Sequence, residues 1–404
     1  MSAPVRHLKL KRAVRKMLGN DVVDKFKPKP QNECPLPGGR SFDMRNPRHY
    51  YFPLDDPKWV PAADAEYVVD DDAVLAFEVN GKAYAIPWDV LACHHVVNLV
   101  LDDHPYLVTL CDACVGGGLF DASIDGERWK FRMQGMYNAT PYVVDDHTGS
   151  LWTMVQMRPL HGPAMEIGPL HRLPLVHVTW LEWKRLRPDT VVANHPGEPE
   201  DGHGWDHRWP GHSVVPRFAK ESRTTPIDRR LEPLDLVLGV EVDGEPRAYP
   251  LDVLQAHGGV VHDDLGGQPI VLVSMPGSYL AIALGRRLDD QVLDFDWDGG
   301  LDAVTAAFDA DDDDIPHLVD TATGSRWDLL GACVDGPLAG RTLPNLWSGI
   351  QKWFNWSNLN PGGDVWHAEE MSTVRRPREQ RHPVDLPGGG AREHGDHAHD
   401  VWEH

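Results

Sequence analysis

Apolar residues along this chain come in short runs punctuated by glycine, asparagine and aspartate, the pattern of strands joined by tight turns. "AVLAFEV" (73–79) and "KAYAI" (82–86) flank Asn80-Gly81, and "EVDGEPRAY" (241–249) repeats the arrangement around Asp243-Gly244. Both turn pairs accept positive φ and predict type I′ hairpins. "PWDVLA" (87–92) and "PLDVLQ" (250–255) each read as one short helix with proline in its first turn. "PYLVTL" (105–110) and "PIVLV" (269–273) have the length of buried strands, while "RWKFRM" (128–133) alternates with period two after the Asp125-Gly126 turn. Long helices do not alternate with these strands, so the expected class is β-rich α+β, mainly antiparallel with short helices.

The same elements recur in order. Gly81 aligns with Gly244, Pro87 with Pro250 and His94 with His257, each pair 163 positions apart. "VVDDHTGSLW" (143–152) matches "LVDTATGSRW" (318–327), and Gly162-Pro163 matches Gly336-Pro337. "WLEWKRLRP" and "WFNWSNLNP" set Trp180, Trp183 and Pro188 on Trp353, Trp356 and Pro361, all 173 apart. Two tandem copies of one domain are therefore expected, at 65–195 and 230–368, after an N-terminal extension (1–64) and around a Gly-, Pro- and His-rich linker (196–229). Residues 369–404 carry five histidines and almost no aliphatic side chains, and are expected to be a disordered tail that at most gathers ions loosely.

Charge narrows the classes further. With 61 acidic against 39 basic side chains, the net charge of -22 repels phosphate backbones, so a nucleic-acid partner is not expected. The basic start lacks the apolar run of a secretory signal, and no segment has the length and apolarity of a membrane span. The expectation is a soluble, cytoplasmic chain with no membrane partner. There most thiols stay reduced, and a Cys-x-x-Cys is more often a metal or redox motif than a structural bridge.

One segment concentrates the candidate chemistry: "CHHVVNLVLDDHPYLVTLCDACVGGG" (93–118). With the N-G turn, the P-x-D-x-L helix, "TGSLW" and the Gly-Pro segment, it resembles the bacterial family called domain of unknown function 3179. Members of that family read H-E-x-V-N-D, then C-P-L-C, then S-L-W and G-P-L-x-G. The resemblance sets His94 on the family histidine, His95 on its glutamate, Asn98 on its asparagine, and Cys111 and Cys114 on its cysteine pair. His95, Leu99 and Asp112 depart from the pattern, and the resemblance implies no established activity. In the second copy Met275 and Ser278 take the places of Cys111 and Cys114, and Gly258 that of His95. A fold that manages without the thiols in one copy points to chemistry in the other.

Three readings of the pair follow. Two thiolates three positions apart, with His94 and His95, form a borderline-soft donor set for a transition metal ion, either copper, zinc or iron. Both histidines would close a structural site; one would leave a position for substrate. A redox dithiol needs a thiolate of lowered pKa, usually at a helix N-terminus, whereas here a strand runs into glycines that would let backbone approach an ion or substrate. Buried cysteines as inert packing are the third, the reading favoured for Cys34, Cys93 and Cys333. The leading expectation is a metal-binding protein, in its enzymatic form a metal-dependent oxidoreductase acting on a small molecule. The alternatives are a non-enzymatic metal-handling or scaffold protein and a thiol–disulfide redox protein. No phosphate loop, nucleophile elbow or nicotinamide fingerprint assigns a reaction. Tyr137 and Asn138 read as turn residues, and the aspartates at 309–314 as a solvated loop.

Overall fold

The computed structural model describes residues 41–43, 53–111, 114–138, 140–194, 228–304 and 315–367. The basic start, most of the linker, the acidic loop and the His-rich tail lie outside the described residues. Strand dominates, and the helices among the described residues are a turn or two long. In the first half a sheet runs in the order Val176–Thr179, Ala73–Val79, Lys82–Pro87, Val191–Ala193, Trp59–Pro61. The second half has the order Trp347–Lys352, Leu236–Val242, Glu245–Pro250, Asp364–Val365. In each, the final pairing with the hairpin is parallel and the others named up to it are antiparallel.

The hairpins form where turn chemistry asks for them. Asn80 and Gly81 stand at φ 52° and 73°, Asp243 and Gly244 at 50° and 81°, so both central residues take the positive φ of a type I′ turn. Proline, however, stands one residue outside each helix. Pro87 and Pro250 still pair across the hairpin, with Val74 and Val237, and the helices run Trp88–His94 (α1) and Leu251–Ala256 (α3). Helices Trp180–Leu186 (α2) and Trp353–Leu359 (α4) bury the four matched tryptophans.

A second pair of sheets carries the site. The first half orders Arg172–Leu173, Gly116–Asp121, His104–Cys111, Val96–Leu101 and Leu54–Asp55; the second orders Val260–Leu265, Gln268–Ser274 and Ala281–Gly285, with Asn345 bridging to Leu284. A third pair holds the Thr-Gly-Ser-x-Trp segments, and their recurrence has a structural cause. Trp152 Nε1 donates to Asp145 Oδ2 at 2.9 Å, and Trp327 Nε1 to Asp320 Oδ2 at 3.0 Å. Thr148 and Ser150 hydroxyls lie 2.6 Å apart, as do those of Thr323 and Ser325. Ser150 then accepts the Ala164 N–H and Ser325 that of Leu338. Burial pushes the Asp320 carboxyl up, but hydrogen bonds from Trp327 and Thr323 outweigh it and hold it below its usual range.

Apolar packing does not stop at the boundary between halves. Leu75, Ile86 and Leu110 share one core with Leu238, Tyr249 and Leu272, and Val74 and Trp180 share another with Val271 and Trp327. His177, on the strand Val176–Thr179, is buried edge-on to Trp88 at 5.8 Å.

Two outcomes are expected. Gly162 and Gly336 have φ 102° and 94°, and an added Cβ would come within 2.5 Å of Ser150 Oγ and 2.8 Å of Ser325 Cα. Gly162→Ala and Gly336→Ala should each cost about 1–3 kcal/mol in urea unfolding. Gly149→Ala, at φ 72° with nothing within 4 Å, should cost less; equal losses would remove the steric explanation. The second concerns acid. Burial, aided by the charge of Arg172, pulls His177 down to about 3. The unfolded chain takes up a proton near the ordinary value of ~6.5 that the folded chain refuses. The neutral ring therefore contributes stability that is full above that value and is lost progressively as pH falls toward the folded one. Stability should decline across that window by up to about 1.4 kcal/mol per pH unit, less steeply in His177→Phe.

Candidate functional site

Helix α1 delivers His94 and His95 to the end of a strand pair. His95 leaves the helix at φ 59°, its N–H bonding Leu91 O at 2.6 Å. The chain then runs through Val96–Leu101, turns at Asp102-Asp103 and returns through His104–Cys111, as the apolar pattern predicts. That return lays Leu110 beside His95: Leu110 N–H donates to His95 O at 3.0 Å, and His95 Nδ1 lies 3.0 Å from Leu110 O. A carbonyl only accepts, so Nδ1 carries the ring proton and Nε2 the lone pair of the neutral form. His94 is half-buried.

Asn98 has a structural task. Its Oδ1 accepts the Phe131 N–H at 2.9 Å and its Nδ2 donates to Phe131 O at 3.0 Å, tying two sheets together. In the second half His262 Nε2 accepts the N–H of Phe295 at 3.0 Å.

Cys111 and Cys114 are joined as a disulfide, with Cα atoms 5.2 Å apart, and both are buried. The Cys114 N–H donates to Cys111 Sγ at 3.1 Å, an interaction that favours negative charge on that sulfur once the bond opens. Val115 follows at φ 62°, a conformation that a β-branched residue adopts only under strain. The glycines after it serve the protein's own packing. A Cβ on Gly116 would meet Val155 and Gln351, on Gly117 Thr109 O, and on Gly118 the Phe120 ring.

The second half supplies the cover. Lys352 N–H, at the start of α4, donates to Cys114 O at 2.8 Å, and Phe354 packs in the same apolar cluster as both cysteines. Gln156 Nε2 donates to Asn360 Oδ1 at 3.1 Å, and Asn358 Nδ2 to Asn138 O at 2.9 Å. Asn138, the expected turn residue, stands at φ 48°. Gln351, Lys352, Asn355 and Asn360 are all buried, so this junction is polar yet closed to water. A reciprocal contact exists on the other side. Glu182, in the first turn of α2, hydrogen-bonds Ser278; burial pushes its carboxyl up, while Ser278 and Thr179 pull it back in part. The loop of Ser278 is tied by Gln255, whose Nε2 donates to Met275 O at 3.2 Å and Ser278 O at 2.9 Å. Ala92 stands at the corresponding place in the first half and has no such group.

Arg172 is the second feature of the junction. Although the residue as a whole is half-buried, its guanidinium donates to Gly117 O at 2.7 Å and Val155 O at 3.1 Å and lies over Trp347, 4.2 Å from the ring centroid. Burial pulls it down to about 9, against the charge of Glu241. Beside it lies a cavity of about 40 Å³, lined by Leu175, Ile282, Trp347 and Ser348.

The fold thus brings Cys111 and Cys114 together and sets the His95 backbone and ring against their strand. Among the described residues no group of three or more His, Cys, Asp or Glu side chains is placed to hold a metal ion. Sequence reasoning passed over Val115, Arg172, Lys352 and Asn355. The signal for the last was the mismatch between "WLEW" and "WFNW", where a charged Glu182 aligns with a neutral Asn355 between the matched tryptophans.

Fold and site together define a β-rich α+β protein with a buried Cys-x-x-Cys disulfide at the junction of its two halves. Over residues 52–363 the chain matches the model of a family described as protein of unknown function (DUF3179), and it belongs to that family. No curated protein and no solved structure matches it.

Arg172→Ala would leave two buried carbonyls without their donor and open a gap against Trp347. We expect a loss of about 2–3 kcal/mol in urea unfolding, with Arg172→Lys intermediate because an ammonium cannot present the same fork of donors.

Proposed function

We propose that this protein is a thiol–disulfide redox protein whose working pair is Cys111 and Cys114, the second half being a supporting copy that covers them. The observation that carries the reading is the disulfide itself, set in a turn where the Cys114 N–H already points at Cys111 Sγ. In the reducing compartment expected from the sequence, a disulfide is transient and catalytic or redox-sensing rather than structural. The strained Val115 beside it fits a turn kept for function. The supporting-copy assignment rests on tandem duplication at 65–195 and 230–368. Two lines favour it: the strand orders of the halves run parallel, and the Asp-Thr-Ser-Trp networks coincide.

Reduction balances with an external dithiol. Its thiolate attacks one sulfur, giving a mixed disulfide and releasing the other sulfur as a thiolate. The reductant's second thiol then displaces the bridged cysteine, so two electrons and two protons pass and the reductant leaves as a disulfide. Both sulfurs are buried, so an attacking thiolate reaches them only after the packing around them opens. Reduced, the same two thiols are the donors that the sequence assigns to a transition metal ion, which makes metal content the competing outcome.

Thiols are counted by alkylation and mass spectrometry, before and after treatment of the intact chain with dithiothreitol. The expected result is two additional alkylated cysteines, mapped to 111 and 114, with no gain in a Cys111→Ser, Cys114→Ser variant. If the untreated protein instead holds one equivalent of metal that the double variant loses, metal ligation replaces the redox assignment.

A further inference from the structure

Asn355 is fully enclosed in the first turn of α4. Its Nδ2 donates to Gln351 Oε1 at 2.6 Å, which fixes the amide and aims Oδ1 the other way. That oxygen has no hydrogen-bond partner among the described residues. An amide oxygen removed from water and left unpaired is costly, so its retention in a packed junction points to a donor that this state of the protein lacks.

Two contacts bring this turn of α4 to the disulfide. Lys352, three residues earlier, holds the Cys114 carbonyl, and Phe354, the residue before Asn355, packs with both cysteines. Across the junction the corresponding pair is already hydrogen-bonded: Glu182, matched to Asn355 between the paired tryptophans, bonds Ser278, matched to Cys114. Exchanging the halves sets Asn355 on Cys114.

We infer that the missing donor is the S–H of reduced Cys114, and that Asn355 is a positioning residue for the dithiol. This rests on the redox reading above. In the disulfide neither sulfur carries a hydrogen, and Oδ1 goes unpaired. In the dithiol, Cys114 keeps its proton by donating it to Asn355 Oδ1, while Cys111 Sγ, which accepts the Cys114 N–H at 3.1 Å, is the sulfur that ionises. The second half thereby favours the reduced state and decides which cysteine is the nucleophile.

The test equilibrates the full chain with mixtures of reduced and oxidised dithiothreitol, then maps brief alkylation of the reduced protein by mass spectrometry. In Asn355→Leu the ratio of dithiol to disulfide at a fixed mixture should fall about tenfold, a shift of about 30 mV for a two-electron couple. The preference for labelling Cys111 before Cys114 should disappear as well. Asn355→Asp, which keeps an acceptor oxygen as Glu182 does, should restore the labelling order. Labelling order reports the sulfurs and not the fold, so a merely structural role would leave it unmoved. A reducible pair whose ratio and labelling order ignore residue 355 overturns this inference alone, as does an Asp variant that behaves like Leu. A wild-type pair that dithiothreitol does not reduce overturns the redox reading and this one together.

Discussion

The apolar contact between the two halves is the constraint from which the other features follow. Leu75, Ile86 and Leu110 have no separate core of their own; they close against Leu238, Tyr249 and Leu272. Non-directional burial fixes the halves face to face, and the directional contacts then refine the fit. Arg187 reaches from α2's end to Glu78 and Asp328, at 2.7 Å and 2.9 Å, and Arg158 pairs with Glu241 across the junction. Only because the core holds that geometry can α4 of one half sit over the disulfide of the other.

Polar groups at such a junction are costly unless each finds a partner. Most do: Arg172 meets two carbonyls and a tryptophan face, Gln156 meets Asn360, and Asn358 meets Asn138. Against that background two amide oxygens of the junction, Gln156 Oε1 and Asn355 Oδ1, lack a partner among the described residues. That of Asn355 stands on the helix whose start holds the Cys114 carbonyl and packs against both cysteines.

The parts of the fold that depend on a few adjacent residues were legible in the sequence. Asn80-Gly81 and Asp243-Gly244 specify their hairpins by backbone preference alone, and the turn at Asp102-Asp103 follows from two apolar runs too short to be anything but paired strands. Matched tryptophans announced their burial. What adjacency does not encode stayed hidden. Thr-Gly-Ser-x-Trp is visible as a recurrence, but its reason, an indole N–H on a buried carboxylate seven positions back, is a matter of packing. The glycines at 116–118 suggested room for a ligand; side chains from Val155, Phe120 and Gln351 occupy the approach instead. The cover over Cys114 comes from a helix more than two hundred residues away in sequence, and no local pattern near the cysteines points to it.

Reciprocal coverage within one chain is freer in its chemistry than the same coverage between two chains. A pair of identical chains related by a twofold axis must build the same contact twice, residue for residue. Here the two contacts differ: the Glu182 carboxyl meets the Ser278 hydroxyl on one side, and the Lys352 N–H meets the Cys114 carbonyl, with Phe354 against the cysteine pair, on the other. Two halves of one polypeptide carry no such requirement of sameness. One seam can be a plain hydrogen-bonded fastening while the other holds a disulfide, and a change in either leaves its counterpart intact.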